Sequence, residues 1–298
     1  MLTTHLPAWQ NDMKTLINIC GPARTGSTML DLMLGNDPRA FSLGEVYAWF
    51  RPYKPHHLKP QCACGAKSHC PILNQLKSFK EKEFYLKAFQ YLNVDFLIDS
   101  SKHIPWIVDN NINAKKHNIQ VYNLLLYKEA HSFFYSHWKR KKILSDRQKK
   151  EFKKYYVHFF KSKIPFISVN YDYLVADPDK ILKRICDIVG MPYFEGKKNF
   201  WEKQHHYFFG SDGTRRQVEE GVSKIKPAEN YPDEFKAVIP EIEKRLREDF
   251  ELQGIINELK KHELNDKNTI DVKNPSIRKH YTYYIDSMKL LLRRYRII

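Results

Sequence analysis

At 298 residues, with 42% hydrophobic and 28% charged side chains, the chain has the composition of a folded globular protein, which excludes a disordered or fibrous one. Fifty Lys and Arg against 34 Asp and Glu leave a net charge of +16, which attracts anions: nucleic acids, anionic lipid surfaces or anionic small molecules. No apolar run approaches the roughly 20 residues of a membrane-crossing helix. Met1 to Lys14 also lacks the basic-then-apolar order of a secretory signal, so a cytoplasmic protein is expected.

Four short β-branched or apolar runs, Thr15 to Cys20, Asp95 to Asp99, Gln120 to Leu126 and Pro165 to Asn170, read as strands buried on both faces. Helix-like spacing fills Ile104 to Lys116, Ser132 to Leu144, Gln148 to Lys161 and Pro178 to Val189. The last of these opens with Asp177 as N-cap and Pro178 at the first helical position, and Gly190 stands just past its end. Strands alternating with helices predict an α/β fold, a mostly parallel sheet flanked by helices. From about Pro227 the pattern turns helical and highly charged, as in Pro240 to Leu252. The closing stretch, Arg278 to Ile298, mixes Tyr, Leu and Ile with Arg293, Arg294 and Arg296. The simplest division is an α/β domain over 1–226 and a helical C-terminal extension over 227–298.

Directly after the first strand comes Gly21-Pro-Ala-Arg-Thr-Gly-Ser-Thr28, followed by the apolar helical run Met29 to Leu34. Strand, glycine-bounded loop and helix start together make an anion cradle, in which glycines let backbone N–H groups approach and the helix dipole favours negative charge. The spacing is that of the nucleotide-triphosphate P-loop, but Ser27 stands where that motif needs lysine, and the basic residue is Arg24, inside the loop.

In these residues the chain resembles the sulfotransferases that use 3′-phosphoadenosine 5′-phosphosulfate (PAPS), whose donor loop reads Arg/Lys-Ser/Thr-Gly-Ser/Thr-Thr/Ser. The resemblance implies a P-loop-like α/β fold in which Arg24 contacts the transferring group and Thr25, Gly26, Ser27 and Thr28 hold the 5′-phosphate. The same family binds the 3′-phosphate through Arg-Asp-Pro at a strand end and a serine eight residues after the arginine. Here the corresponding residues are Lys128-Glu-Ala130 and Ser136, so lysine's point charge replaces arginine's bidentate fork. Asn170 to Leu174 resembles a later family segment and makes Tyr171 an adenine-side contact. His205 to Arg216 resembles the loop that closes over the nucleotide and would bring Arg215 or Arg216 to the 3′-phosphate. The likeness spans Leu16 to Arg216 and implies PAPS as donor, PAP as product and no metal requirement.

Sulfuryl transfer also needs a base. His103, in Ser100-Ser-Lys-His-Ile-Pro105, resembles the histidine of small-molecule sulfotransferases, and its type suits proton transfer near neutrality. Glu45, in Leu43-Gly-Glu-Val46, is the second candidate, where carbohydrate-modifying relatives place an acid. Lys102 is a candidate to stabilise the leaving group. Asp99 supports a rival reading, a P-loop-type kinase that uses it with Mg²⁺, or else it caps the turn that follows.

Five cysteines are too few for a disulfide scaffold. Cys62, Cys64 and Cys70 do cluster, with His56, His57 and His69 nearby, but C-x-C-x5-C fits zinc spacing poorly. Zinc, a disulfide and reduced packing thiols all stay open there, and no metal is assigned. The basic run from His137 to Lys142, continuing through Lys149, Lys150, Lys153 and Lys154, reads as a nucleic-acid grip, a solvated helix face or added positive potential around the donor. The basic C-terminus suits peripheral contact with an inner membrane face. The resulting expectation is transfer from PAPS to a hydroxyl, less readily an amine, of a glycan, glycolipid or other small acceptor, with no nucleic-acid partner. The alternatives are the kinase and a basic nucleic-acid or membrane-surface binding protein.

Overall fold

The structure is a computed structural model that describes residues 13–66, 68–141, 146–223 and 231–265. In chain order the strands are β1 (Thr15–Cys20), β2 (Ala40–Gly44), β3 (Phe96–Asp99), β4 (Gln120–Tyr127) and β5 (Ile167–Asn170). They form one sheet in the order β2-β3-β1-β4-β5 with every pairing parallel. Parallel neighbours need crossovers, and helices supply them: α1 (Ser27–Gly35), α2 (Val46–Phe50), α3 (Pro71–Lys77), α4 (Phe84–Leu92), α5 (Ile104–Lys116), α6 (Ala130–Lys141), α7 (Asp146–Lys161), α8 (Tyr171–Ala176) and α9 (Pro178–Val189). Beyond them lie α10 (Asp212–Glu220), α11 (Asp233–Lys236), α12 (Ile239–Arg247) and α13 (Phe250–Lys261).

Strand alternation sorts the core into two faces. Ile17, Ile19, Ile98, Leu124, Leu126, Ile167 and Val169 pack beneath α1, α8 and α9. On the opposite face Leu16 and Leu97 meet α3 and α4, while Cys20, Leu125 and Tyr127 meet α7 and α13.

The four expected strands all form, and the differences are local. Asp95 and Pro165 stay outside β3 and β5; proline has no N–H for a ladder. The Ala-Phe-Ser-Leu-Gly run of β2 went unread because its strand propensity is weak, and it is held as an edge by pairing with β3. Pro240 to Leu252 is two helices rather than part of one, because Asp249 accepts from the Leu252 N–H and starts α13 afresh. The end of α13 then closes the β5 edge: Ser168 N donates to His262 O at 3.0 Å, and Leu264 N to Ser168 O at 3.1 Å. The stretch Arg278 to Ile298 lies outside the described residues.

Because all five strands run parallel, their carboxyl ends deliver the following residues to one edge of the sheet. Gly21 to Thr28 follow β1, Glu45 follows β2, Lys102 and His103 follow β3, Lys128 follows β4 and Tyr171 follows β5.

Candidate functional site

The loop after β1 is fixed at both ends. Gly21, at φ 131°, brings its backbone against Leu126 O, and its N–H donates to Tyr155 Oη at 2.9 Å. Thr25, fully buried, closes the turn by donating Oγ1 to Pro22 O at 2.8 Å. Gly26 caps α1 at φ 93° without a side-chain hydrogen bond, so the dipole end of the helix opens onto the crevice. Tyr171 lies flat against Gly26: a Cβ built there would overlap its ring. Arg24 holds a left-handed φ of 76°, a strained conformation for a non-glycine residue of the kind that clusters at functional sites. Its Nε donates to the Ser136 carbonyl at 3.0 Å.

Lys128 completes this side. Its Nζ sits 3.9 Å from the centroid of the Tyr171 ring, and the residue is 7% exposed. Burial pushes the Lys128 ammonium down to about 8; Asp172 opposes the shift, and the charges of Arg24 and Lys139 add to it. Ser136 takes the Arg24 Nε–H on its carbonyl, while its hydroxyl donates to Phe133 O at 2.7 Å and must rotate to donate to a bound phosphate. The loop leading to α10 rests on α1: Ser211 N donates to Thr28 Oγ1 at 3.0 Å. Arg215 is half-buried on that side and its charge is felt at Tyr207, whereas Arg216 is exposed.

A pH test follows from Lys128. The protonated form attracts a phosphate and the neutral form does not, so the affinity of a phosphorylated ligand held there should fall by up to about tenfold per pH unit above about 8. Lys128→Arg, charged throughout, should flatten that dependence, which isothermal titration between pH 7 and 9.5 would show. An unchanged slope in Lys128→Arg would remove Lys128 from the phosphate site.

Across the crevice, Lys102 Nζ donates to Glu45 Oε1 at 2.6 Å and to Ser100 O at 2.8 Å. Burial raises the Glu45 carboxyl, but the charge and hydrogen bond of Lys102, with Lys54 and His57 behind it, outweigh that and hold it below the usual glutamate range. Lys102, like Arg24, sits at positive φ, 63°. His103 is the N-cap of α5: its Nδ1 accepts from Trp106 N at 3.4 Å, and its ring stacks on Tyr47 at 3.9 Å between centroids. Sequence reasoning passed over several residues here. Tyr155 on α7 accepts from Gly21 and donates to the Lys102 carbonyl at 2.8 Å, tying the two loops together. Tyr53, whose hydroxyl is raised by burial and by Glu45, and His57 line the Glu45 side. Asp31 of α1 takes the Ser100 hydroxyl at 2.7 Å. These residues carry no local motif; only the fold gathers them.

Asp99 is occupied on both carboxylate oxygens by protein donors. Its carboxylate is 1% exposed, with Oδ1 taking the Ser101 N–H and hydroxyl and Oδ2 taking Tyr85 Oη at 2.5 Å and Trp106 Nε1 at 2.8 Å. A carboxylate with four protein donors has no lone pair to offer Mg²⁺, which argues against the kinase.

The basic run of α6 and α7 is partly neutralised: Lys149 and Lys153 pair with Asp249 at 3.3 and 3.0 Å, and Trp138 is buried against Phe235. Lys139 does add positive potential at Lys128. Residues 142–145 of the run lie outside the described residues. No helix among the described residues is long and apolar enough to cross a membrane. Cys62, Cys64 and Cys70 converge with His206 rather than with His56, His57 or His69.

No protein-family model matches this sequence, and no curated protein matches it. Among solved structures, it is similar to the sulfotransferase domain from the curacin biosynthetic pathway, at 12% identity over 78% of this chain and 98% of that one, with a TM-score of 0.46. It is also similar to the sulfotransferase domain from the Synechococcus PCC 7002 olefin synthase, at 16% identity over 95% of each chain and a TM-score of 0.38. A third is sulfotransferase STF9 from Mycobacterium avium, at 12% identity over 80% of this chain and 77% of that one, TM-score 0.38. With TM-scores of 0.46 and lower, the functional reading rests on the chain's own residues.

Proposed function

We propose that the chain is a PAPS-dependent sulfotransferase acting on a hydroxyl, less readily an amine, of a glycan, glycolipid or other small acceptor. One observation carries the reading: a lysine-free loop at an open helix start packs on Tyr171, whose ring carries Lys128 over its face, while its Arg24 donates to the Ser136 carbonyl. A 3′,5′-bisphosphorylated nucleotide requires two places for phosphate, and the helix start and Lys128 supply a candidate for each.

In this proposal Thr25 to Thr28 hold the 5′-phosphate, and Lys128 and Ser136, with Arg215 or Arg216 from the closing loop, hold the 3′-phosphate. Glu45 is the base. Neutral His103 accepts a hydrogen bond at Nδ1, so its proton is on Nε2 and its one lone pair is occupied by the α5 cap. Glu45, kept ionised by Lys102, takes the acceptor proton as the new O–S bond forms and the S–O bond to the 5′-phosphate breaks, the electron pair leaving with PAP. Arg24 balances charge on the transferring group, and Lys102 does so on the leaving oxygen. As in phosphoryl transfer, the protein supplies positioning and electrostatics.

Thermal unfolding with PAP plus chelator, ATP–Mg²⁺ or a generic oligonucleotide tests this. Saturation near 100 times Kd adds about 2.7 kcal/mol, a rise of roughly 2–8 °C in Tm. PAP without metal should give that rise. A response to ATP–Mg²⁺ or the oligonucleotide and none to PAP would overturn the proposal.

A further inference from the structure

The cysteine loop does not belong to the donor site, yet it is built like a metal centre. Cys62, Cys64 and Cys70 lie on one nine-residue stretch, and His206 comes from 136 residues beyond Cys70. The four ligand atoms, three sulfurs and one ring nitrogen, all lie within 4.8 Å of one another. Cys70 Sγ and His206 Nδ1 are 3.3 Å apart. A tetrahedral zinc ion with its usual bond lengths holds sulfur and nitrogen ligands about 3.4–3.8 Å from each other.

Two further features fit a metal better than packing thiols. Gly65, directly after Cys64, turns at φ 85°, and backbone amides face the sulfurs: Cys64 N donates to Cys62 Sγ at 3.4 Å, and the Ala66 N–H to Cys64 Sγ. Such N–H···S bonds satisfy thiolates and orient metal ligands. The segment that brings His206 is also registered against the loop by backbone. Ala63 N donates to Tyr207 O at 3.1 Å, and Cys62 forms an antiparallel bridge with Phe208. Cys62 and Cys70 are buried, with Cys64 and His206 half-buried at the rim.

We propose that Cys62, Cys64, Cys70 and His206 bind one zinc ion in a closed, structural site. Three soft thiolates and one imidazole suit zinc, and four protein ligands leave no position for substrate. Binding releases the three thiol protons to solvent and leaves the centre with a net charge of −1. The spacing argument against zinc fails because the fourth ligand is far away in sequence. The ion would pin the 62–70 loop to the segment that next reaches Phe208, whose carbonyl accepts from Glu45 N at 3.5 Å, and then Ser211, which meets Thr28. That consequence for the catalytic edge rests on the sulfotransferase reading; the metal site does not.

The test is elemental analysis of untagged protein purified under reducing conditions without added metal, then repeated on His206→Ala, Cys64→Ser and His69→Ala. About one zinc per chain is expected in the parent and in His69→Ala, with at least a fivefold loss in the other two. Cobalt substitution of the parent should give the thiolate-to-cobalt charge-transfer and visible d–d bands of a tetrahedral site. Reduced parent protein that carries no zinc and takes none up would overturn the proposal. So would bound iron with sulfide, or an unaltered cobalt spectrum in His206→Ala. Because metal is read without donor or acceptor, loss of the enzymatic reading would leave this result standing. Conversely, parent protein that binds PAP yet carries no zinc and takes none up would overturn the zinc site alone.

Discussion

Glu45→Gln is expected to lower kcat by about 10²–10⁴-fold, the usual worth of a positioned general base, with little change in affinity for PAP. His103→Asn is expected to cost less than about tenfold, because asparagine preserves the α5 cap that Nδ1 provides. The argument from structure is one of lone pairs. A carboxylate has several, and the hydrogen bonds from Lys102 and the Tyr53 hydroxyl still leave others on Glu45 for an acceptor hydroxyl. The imidazole of neutral His103 has one, and it already faces Trp106 N. The pH profile carries the same information. Lys102 holds Glu45 below its ordinary range, so the base stays ionised as pH falls and the acid limb of kcat should lie below the usual glutamate range. Removing the ammonium in Lys102→Met should move that limb upward, since burial alone raises the group. Steady-state kinetics across pH would decide it: a large loss in His103→Asn with near-normal turnover in Glu45→Gln reverses the assignment.

The second large effect is at Arg24. Arg24→Ala should reduce kcat by about 10²–10³-fold, the cost of removing one preorganised group aimed at developing charge. PAP lacks the transferring group, so its affinity should change far less than the rate. Affinity above pH 8 should even improve, because the Arg24 charge is one of the influences that depress Lys128. Arg24→Lys keeps the charge but loses the Nε contact that orients the side chain on Ser136 O, so it should fall between the two. Near-normal turnover in Arg24→Ala would remove the residue from the mechanism, and an unchanged Tm would show that the loop had not simply unfolded.

The donor half of the site was legible because it is local. Gly21 to Thr28 is one strand–loop–helix unit, and each of its requirements is met within eight residues: a close backbone approach, a helix start and a basic side chain. Lys128 and Ser136 were marked only by likeness to a family segment with the same eight-residue spacing. Tyr171 could be placed only by likeness, and the fold gave it a physical role, as the ring that packs on Gly26 and carries Lys128 over its face.

The acceptor half was not legible in this way. Glu45 and Lys102 lie 57 residues apart, on the ends of two strands, one of them the weak edge strand β2, and no spacing rule connects them. Preferring Glu45 to His103 needed the hydrogen bonds each accepts, which only the fold supplies. The cysteine cluster behaves likewise, since three of its residues are local and His206 arrives with the segment that bridges to Gly44 at the end of β2.

The sequence by itself therefore determined the parallel α/β architecture and marked Gly21 to Thr28 as the candidate phosphate loop. Alternating apolar runs and glycine-bounded turns are short-range consequences of backbone geometry. Tertiary structure alone decided which distant polar groups meet. A parallel sheet sends the end of every strand to the same edge, and the order β2-β3-β1-β4-β5, rather than chain order, makes neighbours of residues there.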